Sequence, residues 1–243
     1  MTAVLAFHFR GTEDFRREAF DVCQAFYRRH LPDLPVIVAD SGHEVYNRAA
    51  SRNAAMRQAE ALGATVVALL DADVLIQPSA LRLALDSYTG GYVRPFRRGL
   101  NLPLSKLQTA TERMWPRRGR FFDPGAAYVI SPEAWWSVGG MDENFTRWGG
   151  EDEAMQHALA AHGIAAKTGS AAPVLKLQHD ASRWGSDGWR ETHERQSVYM
   201  AIRDRDVMNA WIAERDEPGA VKRWIDKLNI RERVDRELAR WNL

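Results

Sequence analysis

The 243-residue sequence contains a single cysteine, Cys23, which excludes an internal disulfide bond. No apolar run approaches the roughly 18–20 residues that span a bilayer, and the first residues lack the basic region of a signal peptide. We therefore expect a cytoplasmic protein. Glycine is scarce after the first predicted strand, where only Gly11 occurs. This scarcity disfavours the phosphate-binding loop that a nucleotidyltransferase would use.

Basic residues are concentrated in one segment, although the whole chain has a net charge of only +1. Residues 90–120 carry eight basic side chains against Glu112, which gives +7 and leaves 1 − 7 = −6 for the remainder. The basic residues are Arg94, Arg97, Arg98, Lys106, Arg113, Arg117, Arg118 and Arg120. With interleaved aromatic residues, this pattern indicates a polyanion-binding surface such as one for nucleic acid. A solvated loop, or arginines that hold a diphosphate, are the alternatives.

Short apolar runs alternate with helical patterns, which predicts an α/β fold with a doubly wound, mostly parallel sheet. Buried strands are expected at Ala3–Phe7, Val36–Ala39 and Thr65–Leu70, with helices between them. Later strands are expected at 127–130 and 173–177, and a long functional loop at 90–122. From about Arg203 the pattern is helical. We therefore predict a main domain at 1–202 and a helical extension packed on it at 203–243.

Acidic residues follow the predicted strands, where a parallel sheet binds its ligands. Asp71 and Asp73 end the third strand, Asp40 ends the second, and His179 follows the last. If the chain stays extended, residues two apart point the same way, so Asp71 and Asp73 can share one target. Two carboxylates suit a divalent cation, or a metal together with a sugar hydroxyl. A strand-ending turn, in which aspartate is common, is the alternative.

A second acidic pair, Glu151 and Asp152, begins a predicted helix after Arg147-Trp148-Gly149-Gly150. Acids there often only complement the helix dipole, and His179 can equally be a buried core histidine. The glycines predict a tight turn, and Trp148 offers a flat apolar platform on which sugars stack. This combination favours a sugar-binding site.

These motifs together resemble the GT-A glycosyltransferases, in particular the β-1,4-galactosyltransferase type and its bacterial polysaccharide-synthesising relatives. Asp71-Ala72-Asp73 matches the DxD motif of that family, and residues 139–152, which end in Trp-Gly-Gly-Glu-Asp, match its second signature. His8-Phe9-Arg10 and Tyr46-Asn47-Arg48-Ala49 lie where the family has Pro-Phe-Arg and Phe-Asn-Arg-Ala. The resemblance spans roughly residues 3–180. It implies a Rossmann-like three-layer GT-A fold with a C-terminal helical extension.

The resemblance also implies a role for each matching residue. Asp73 and His179 would bind Mn²⁺, with Mg²⁺ also possible. Asp152 and Glu151 would be the catalytic residues, Asp152 as general base and Glu151, with Trp148, positioning the donor sugar and the acceptor. The residues implied in binding the UDP-sugar donor are Phe9, Arg10, Asp40, Tyr46, Arg48, Asn53, Asp71 and Trp148. Trp148 would also contact the acceptor. Lys176 departs from the pattern, because the animal enzymes place a metal-binding methionine there.

The function implied is that of an inverting, metal-dependent hexosyltransferase that moves a sugar from a UDP-sugar to a hydroxyl of a saccharide or glycoconjugate. One base on the face opposite the leaving group gives inversion. A transferase acting on hydroxylated DNA bases is the alternative, with Arg113, Arg117 and Arg118 as polyanion-binding candidates. A nucleotidyltransferase and a non-catalytic sugar-binding module are alternatives of other classes.

Overall fold

The computed structural model describes residues 2–10, 14–97, 99–103, 124–146, 149–168, 173–178 and 189–240. Its strands are β1 (Ala3–His8), β2 (Val36–Ala39), β3 (Val66–Asp71), β4 (Val74–Leu75), β5 (Tyr92–Arg94), β6 (Gly99–Pro103), β7 (Ala127–Ile130), β8 (Ala166–Thr168) and β9 (Val174–Gln178). Its helices are α1 (Asp14–His30), α2 (Arg48–Ala61), α3 (Pro78–Asp86), α4 (Pro132–Trp136), α5 (Glu151–Ala161), α6 (Trp189–Ala201), α7 (Arg205–Glu214), α8 (Ala220–Lys227) and α9 (Arg231–Arg240).

Six strands form the central sheet in the order β2-β1-β3-β7-β5-β8. Strand β1 pairs parallel with β2 and β3, whereas β7 pairs antiparallel with both β3 and β5, and β8 pairs parallel with β5. Five strands therefore share one direction and β7 opposes them. The predicted α/β fold with a mostly parallel sheet is confirmed.

A second, three-stranded sheet has the order β4-β9-β6. Strand β9 runs antiparallel to β4 and parallel to β6. The prediction of a continuous loop over 90–122 is wrong at β5 and β6. These strands contain only three and five residues, and β6 begins with Gly and ends with Pro. Pairing with β7 and β9 supplies the stability that their composition does not signal.

Helices cover both faces of the central sheet because its strands alternate their side chains between two cores. Val4 and Ala6 of β1 point into the core beneath α2, α4 and α5, whereas Leu5 and Phe7 point into the core beneath α1 and α3. All four side chains have no exposed surface. The result is a three-layer arrangement in which helices cover both faces of the sheet and the strand ends stay open to a ligand.

The C-terminal helices share the first of these cores. Trp211 and Trp224 pack edge to face with ring centroids 5.7 Å apart, and both belong to the same apolar cluster as Trp135 of α4. Val234 and Leu238 of α9 extend that cluster. The predicted boundary after residue 202 stays a prediction. In the part of the chain described, no helix is both long and apolar enough to cross a membrane.

Candidate active site

Helix α2 directs two arginines toward the ends of β1 and β3. Asn47 caps the helix, because its side chain accepts a hydrogen bond from the Ala50 amide at 2.9 Å, and Arg48 is the first helical residue. Arg52 lies one turn later on the same face, because residues four apart are neighbours on a helix. Arg52 is almost completely buried, whereas the Arg48 side chain keeps 18% of its surface exposed.

Two glycines place the acids of helix α5. Gly149 and Gly150 have φ angles of 95° and 87°, in the left-handed region that other residues seldom adopt. A Cβ on Gly150 would also lie 2.9 Å from the Phe145 ring, so this position excludes a side chain for two reasons. The turn delivers Glu151 and Asp152 into the first turn of α5, where both are buried.

These elements bring together five charged side chains, Arg48, Arg52, Asp71, Glu151 and Asp152, which we call the charged cluster. Arg52 bridges two elements: its Nη2 donates to Asp71 Oδ1 at 2.5 Å and its Nη1 donates to Asp152 Oδ1. Arg48 Nη2 donates to the other oxygen of Asp152, Oδ2, at 3.1 Å. Both oxygens of the predicted base are therefore held by guanidinium groups.

The charged cluster contains three carboxylates and two guanidinium groups, so it is one positive charge short of neutrality. Burial opposes the ionisation of Asp71, but Arg52, Arg48 and His8 outweigh it and hold the pKa of Asp71 well below its usual value. Glu151 behaves differently. Burial raises the pKa of Glu151, and the negative charge of Asp152 raises it further. Arg48 and Arg52 lower the pKa of Glu151, but they do not outweigh these two effects.

Glu151 is the least satisfied member of the charged cluster. Arg48 Nε lies 3.1 Å from Glu151 Oε1, but without hydrogen-bonding geometry, and neither carboxylate oxygen of Glu151 accepts a hydrogen bond from the described residues. Its side chain is only 2% exposed. A buried carboxylate with unused acceptor positions is suited to accept hydrogen bonds from the hydroxyls of a ligand.

His8 connects Asp71 to the predicted nucleotide side of the site. Its Nε2 lies 2.8 Å from Asp71 Oδ1, and its Nδ1 lies 2.6 Å from the Tyr46 hydroxyl. Burial and the charge of Arg52 together lower the pKa of His8. Tyr46, a predicted donor-binding residue, is therefore joined through His8 and Asp71 to the charged cluster.

Arg10 and Asp40 lie at the neighbouring strand ends and bind each other. Arg10 Nε and Nη2 donate to the two Asp40 oxygens at 2.6 and 2.7 Å, and the guanidinium lies 5.7 Å from the Tyr46 ring centre. Phe9 stacks on Phe20 of α1, with centroids 4.1 Å apart. Three of the predicted donor-binding residues, Arg10, Asp40 and Tyr46, therefore form one group.

Asn53 lies in a different environment from the other predicted donor-binding residues. Its amide nitrogen donates to Met141 O and Glu143 Oε1, and its Oδ1 accepts from the Trp135 indole and the Met141 amide. These four bonds use its donor and acceptor positions within the protein. Asn53 fixes the loop before α5, and its role toward a donor stays a prediction.

Asp73 is the described member of the predicted metal pair, and the structure places a cation next to it. Lys176 Nζ lies 3.9 Å from Asp73 Oδ2. Asp71 is already engaged by Arg52 and His8, and the described residues contain no group of three metal-ligating side chains. Asp73 has the oxygen chemistry that Mn²⁺ accepts, but an ammonium at this distance opposes a second cation. The described residues fit a metal ion only in part.

Comparison with known proteins identifies the fold that carries this site. A family model described as the N-terminal domain of galactosyltransferase matches residues 121–180, about a quarter of the chain. The catalytic domain of Drosophila β1,4-galactosyltransferase 7, solved with xylobiose, superposes with a TM-score of 0.54 at 16% identity over 83% of this chain and 80% of that one. The chain has the GT-A glycosyltransferase fold. The resemblance to galactosyltransferases that the motifs indicate is thus confirmed.

Two further GT-A structures are similar to the chain. A mutant of the same Drosophila enzyme, in complex with manganese, UDP-Gal and xylobiose, gives a TM-score of 0.54 at 14% identity and covers 79% of each chain. GalNAc-T7 with UDP, GalNAc and Mn²⁺ gives 0.52 at 12% identity over 94% of this chain and 54% of that one. The search of the curated proteins finds no significant match.

Several predicted site residues of this GT-A chain fall outside the described residues. They are Trp148, His179, Arg113, Arg117 and Arg118. Of the eight basic residues between 90 and 120, the structure describes Arg94 and Arg97. The roles predicted for the others stay predictions.

Two residues that sequence reasoning missed complete the described site. Arg52 joins Asp71 to Asp152, and its spacing of four from Arg48 is the signal that could have revealed it. Gly125, just before β7, accepts a hydrogen bond from Arg52 Nη2 at 3.0 Å through its carbonyl. A Cβ on Gly125 would overlap the Asp152 carboxylate, so glycine is required for the two to approach. No local pattern marks Gly125.

A second buried polar group holds the loop that precedes α5. The Asp142 carboxylate accepts from Arg195 Nη1 at 3.0 Å and from the Tyr199 hydroxyl at 3.1 Å, both on α6. Arg215, which follows α7, donates to the Tyr199 hydroxyl at 3.1 Å and to Gly139 O at 2.8 Å. We call these four residues, Asp142, Arg195, Tyr199 and Arg215, the loop clamp. Through it the C-terminal helices fix residues 139–145.

Proposed function

We propose that the chain is an inverting glycosyltransferase that moves a sugar from a UDP-sugar to a hydroxyl of a saccharide or glycoconjugate. The observation that carries the proposal is the charged cluster, which unites the strand-end Asp71 with Asp152 and Glu151 at the start of α5. A GT-A fold surrounds it, and the similar structures contain UDP-sugar or UDP with Mn²⁺.

The donor would lie along the ends of β1 and β2. Asp40 and Arg10 offer a rigid carboxylate and guanidinium for the ribose and uracil, and Tyr46 and Phe9 supply aromatic surface beside them. Asp73 and His179 stay the proposed ligands of a divalent ion. When bound, such an ion would counter the charge of the leaving diphosphate.

Asp152 would accept the proton of the acceptor hydroxyl as that oxygen attacks the anomeric carbon. To do so, one of its oxygens must leave its guanidinium partner. Arg48 is the partner suited to move, because its side chain is 18% exposed and it faces Asp71, Glu151 and Asp152 at 3.7, 3.1 and 3.1 Å. An arriving diphosphate would attract Arg48 and release Asp152 Oδ2, while Arg52 keeps Oδ1 in place.

Glu151 would bind the acceptor. Its unused oxygens can accept sugar hydroxyls, and Trp148 two positions before Gly150 would supply the apolar platform. Saccharide acceptors also agree with the xylobiose complexes of the Drosophila enzyme. No contact of the described residues favours DNA as the acceptor.

The test is a screen of UDP-sugars with Mn²⁺ against saccharide acceptors, with product stereochemistry read by NMR of the anomeric proton. Transfer with inverted configuration is expected from one UDP-sugar. Retention of configuration would contradict the role of Asp152 as base. Failure of UDP to bind at all would contradict the donor class.

A further inference from the structure

We propose that Lys176 is a fixed cation of the donor site that binds the diphosphate of the nucleotide and gives it affinity without a divalent metal. The inference rests on the proposed function and deepens it. It starts from the position of Lys176 in the smaller sheet.

The strand alternation directs Lys176 away from the core. Its neighbours on β9, Leu175 and Leu177, are 3% and 0% exposed and belong to the core beneath α1 and α3. Because adjacent strand residues point to opposite faces, Lys176 points to the other side, where its side chain is 30% exposed. The lysine is therefore set by the strand rather than by a mobile surface loop.

Strand pairing then fixes Lys176 beside the DxD motif. Strand β9 pairs antiparallel with β4, with Lys176 opposite Val74, the residue after Asp73. The Leu177 amide donates to the Asp73 carbonyl at 2.8 Å, which ties the motif backbone to β9. The 3.9 Å from Lys176 Nζ to Asp73 Oδ2 follows from this register.

An ammonium in this place has the chemistry of a diphosphate ligand. Lysine presents a point charge with three donors and binds phosphate oxygens as such. Asp73 alone would repel a diphosphate, whereas Asp73 with Lys176 is neutral as a pair. Asp71 of the charged cluster lies two residues before Asp73, and the five side chains of that cluster are one positive charge short of neutrality. The cation that the site requires is thus partly built into the chain.

The experiment compares Lys176→Met, Lys176→Arg and a matched control, Lys167→Met. Lys167 lies on the edge strand β8, where its Nζ contacts Thr89 and Gly90. Calorimetry measures UDP and UMP binding to each full-length protein, once with EDTA and once with Mn²⁺. Thermal unfolding confirms that each variant is folded.

With EDTA we expect wild type to bind UDP and Lys176→Met to bind it about tenfold or more weakly, since a charge-assisted hydrogen bond is lost. UMP binding should change much less, because it lacks the β-phosphate. Lys176→Arg should retain UDP binding, and Lys167→Met should match wild type. With Mn²⁺ in place of EDTA, the difference in UDP affinity between wild type and Lys176→Met should become smaller.

Two results would overturn the inference while leaving the proposed function intact. One is UDP binding to wild type only with Mn²⁺, and the other is equal UDP affinity of wild type and Lys176→Met in EDTA. If wild type binds no UDP under either condition, the proposed donor class fails as well.

Discussion

Replacing Arg52 by methionine tests whether the charged cluster holds the fold together at the site. Methionine is unbranched, as arginine is, and is apolar, so the substitution removes the charge from a side chain that is only 1% exposed. It leaves Asp71 and Asp152 buried without their main partner. Breaking a buried ion pair by removing one partner costs about 3–5 kcal/mol. With an m-value of about 3 kcal/mol per molar urea, the unfolding midpoint should fall by about 1–1.7 M.

The loss of unfolding free energy in Arg52→Met should be larger at neutral pH than at acidic pH. In wild type the pKa of Asp71 is lowered, so its ionisation stabilises the fold above the unfolded pKa, and this contribution disappears as pH falls through the folded pKa. Without Arg52, only Arg48 and His8 would oppose the effect of burial, so the pKa of Asp71 should rise relative to wild type and its ionisation should stabilise the fold less. The difference in unfolding free energy between the two proteins should therefore be large at pH 7 and shrink as the pH falls below the ordinary carboxyl pKa of 3.8.

Arg57→Met on the same helix is the matched control. Its side chain is 54% exposed and its ion pair with Glu143 spans 3.3 Å, so we expect a loss of about 1 kcal/mol or less. Arg52→Lys keeps one charge but cannot bridge two carboxylates as a guanidinium does. Its free energy of unfolding should therefore lie between those of Arg52→Met and wild type. Urea unfolding by fluorescence measures all four proteins. The stabilising role of the charged cluster would be refuted if Arg52→Met lost no more unfolding free energy than Arg57→Met. It would also be refuted if the loss in Arg52→Met did not depend on pH.

Three other changes test the site. Asp152→Asn should lower kcat by about 10²–10⁴-fold, as removal of a general base does, while calorimetry shows UDP affinity near wild type; substantial residual transfer would require another base. Gly125→Ala should reduce transfer similarly because its Cβ displaces the Asp152 carboxylate, whereas Gly63→Ala, whose Cβ meets open space at a φ of +73°, should lower stability but leave the transfer rate of the folded protein unchanged. Tyr199→Phe removes two hydrogen bonds of the loop clamp and should lower the free energy of unfolding by about 1–3 kcal/mol, measured in urea; no change would indicate a weak clamp.

The sequence predicts those parts of the fold whose signal is local. Five consecutive apolar residues, 66–70, predict strand β3, and Gly149-Gly150 before two acids predicts the start of α5. Strand β8, in contrast, has three residues, all exposed, at the sheet edge. Its stability comes from pairing with β5, which no local pattern encodes. The reversed direction of β7 is likewise a property of the assembled sheet.

The candidate site divides in the same way. The motifs place Asp71, Glu151 and Asp152 in one site, and the structure brings them together around Arg52. The ion-pair partner of each carboxylate could not be predicted from the sequence. Asp71 is 19 residues and Asp152 is 100 residues from Arg52 in the chain, and only the folded structure brings both to this arginine. Gly125 illustrates the same limit, since only its distance from Asp152 in space reveals its importance.

The loop clamp has a consequence for how such a chain can be divided or recombined. Arg215 lies beyond the predicted end of the main domain, yet it holds Gly139 and, through Tyr199, the Asp142 carboxylate. A fragment that stops at residue 202 would lose Arg215 and the hydrogen bonds that it donates to the Tyr199 hydroxyl and the Gly139 carbonyl. Exchange of the C-terminal helices between related enzymes would therefore require the matching loop to travel with them. The loop and those helices therefore form one structural unit.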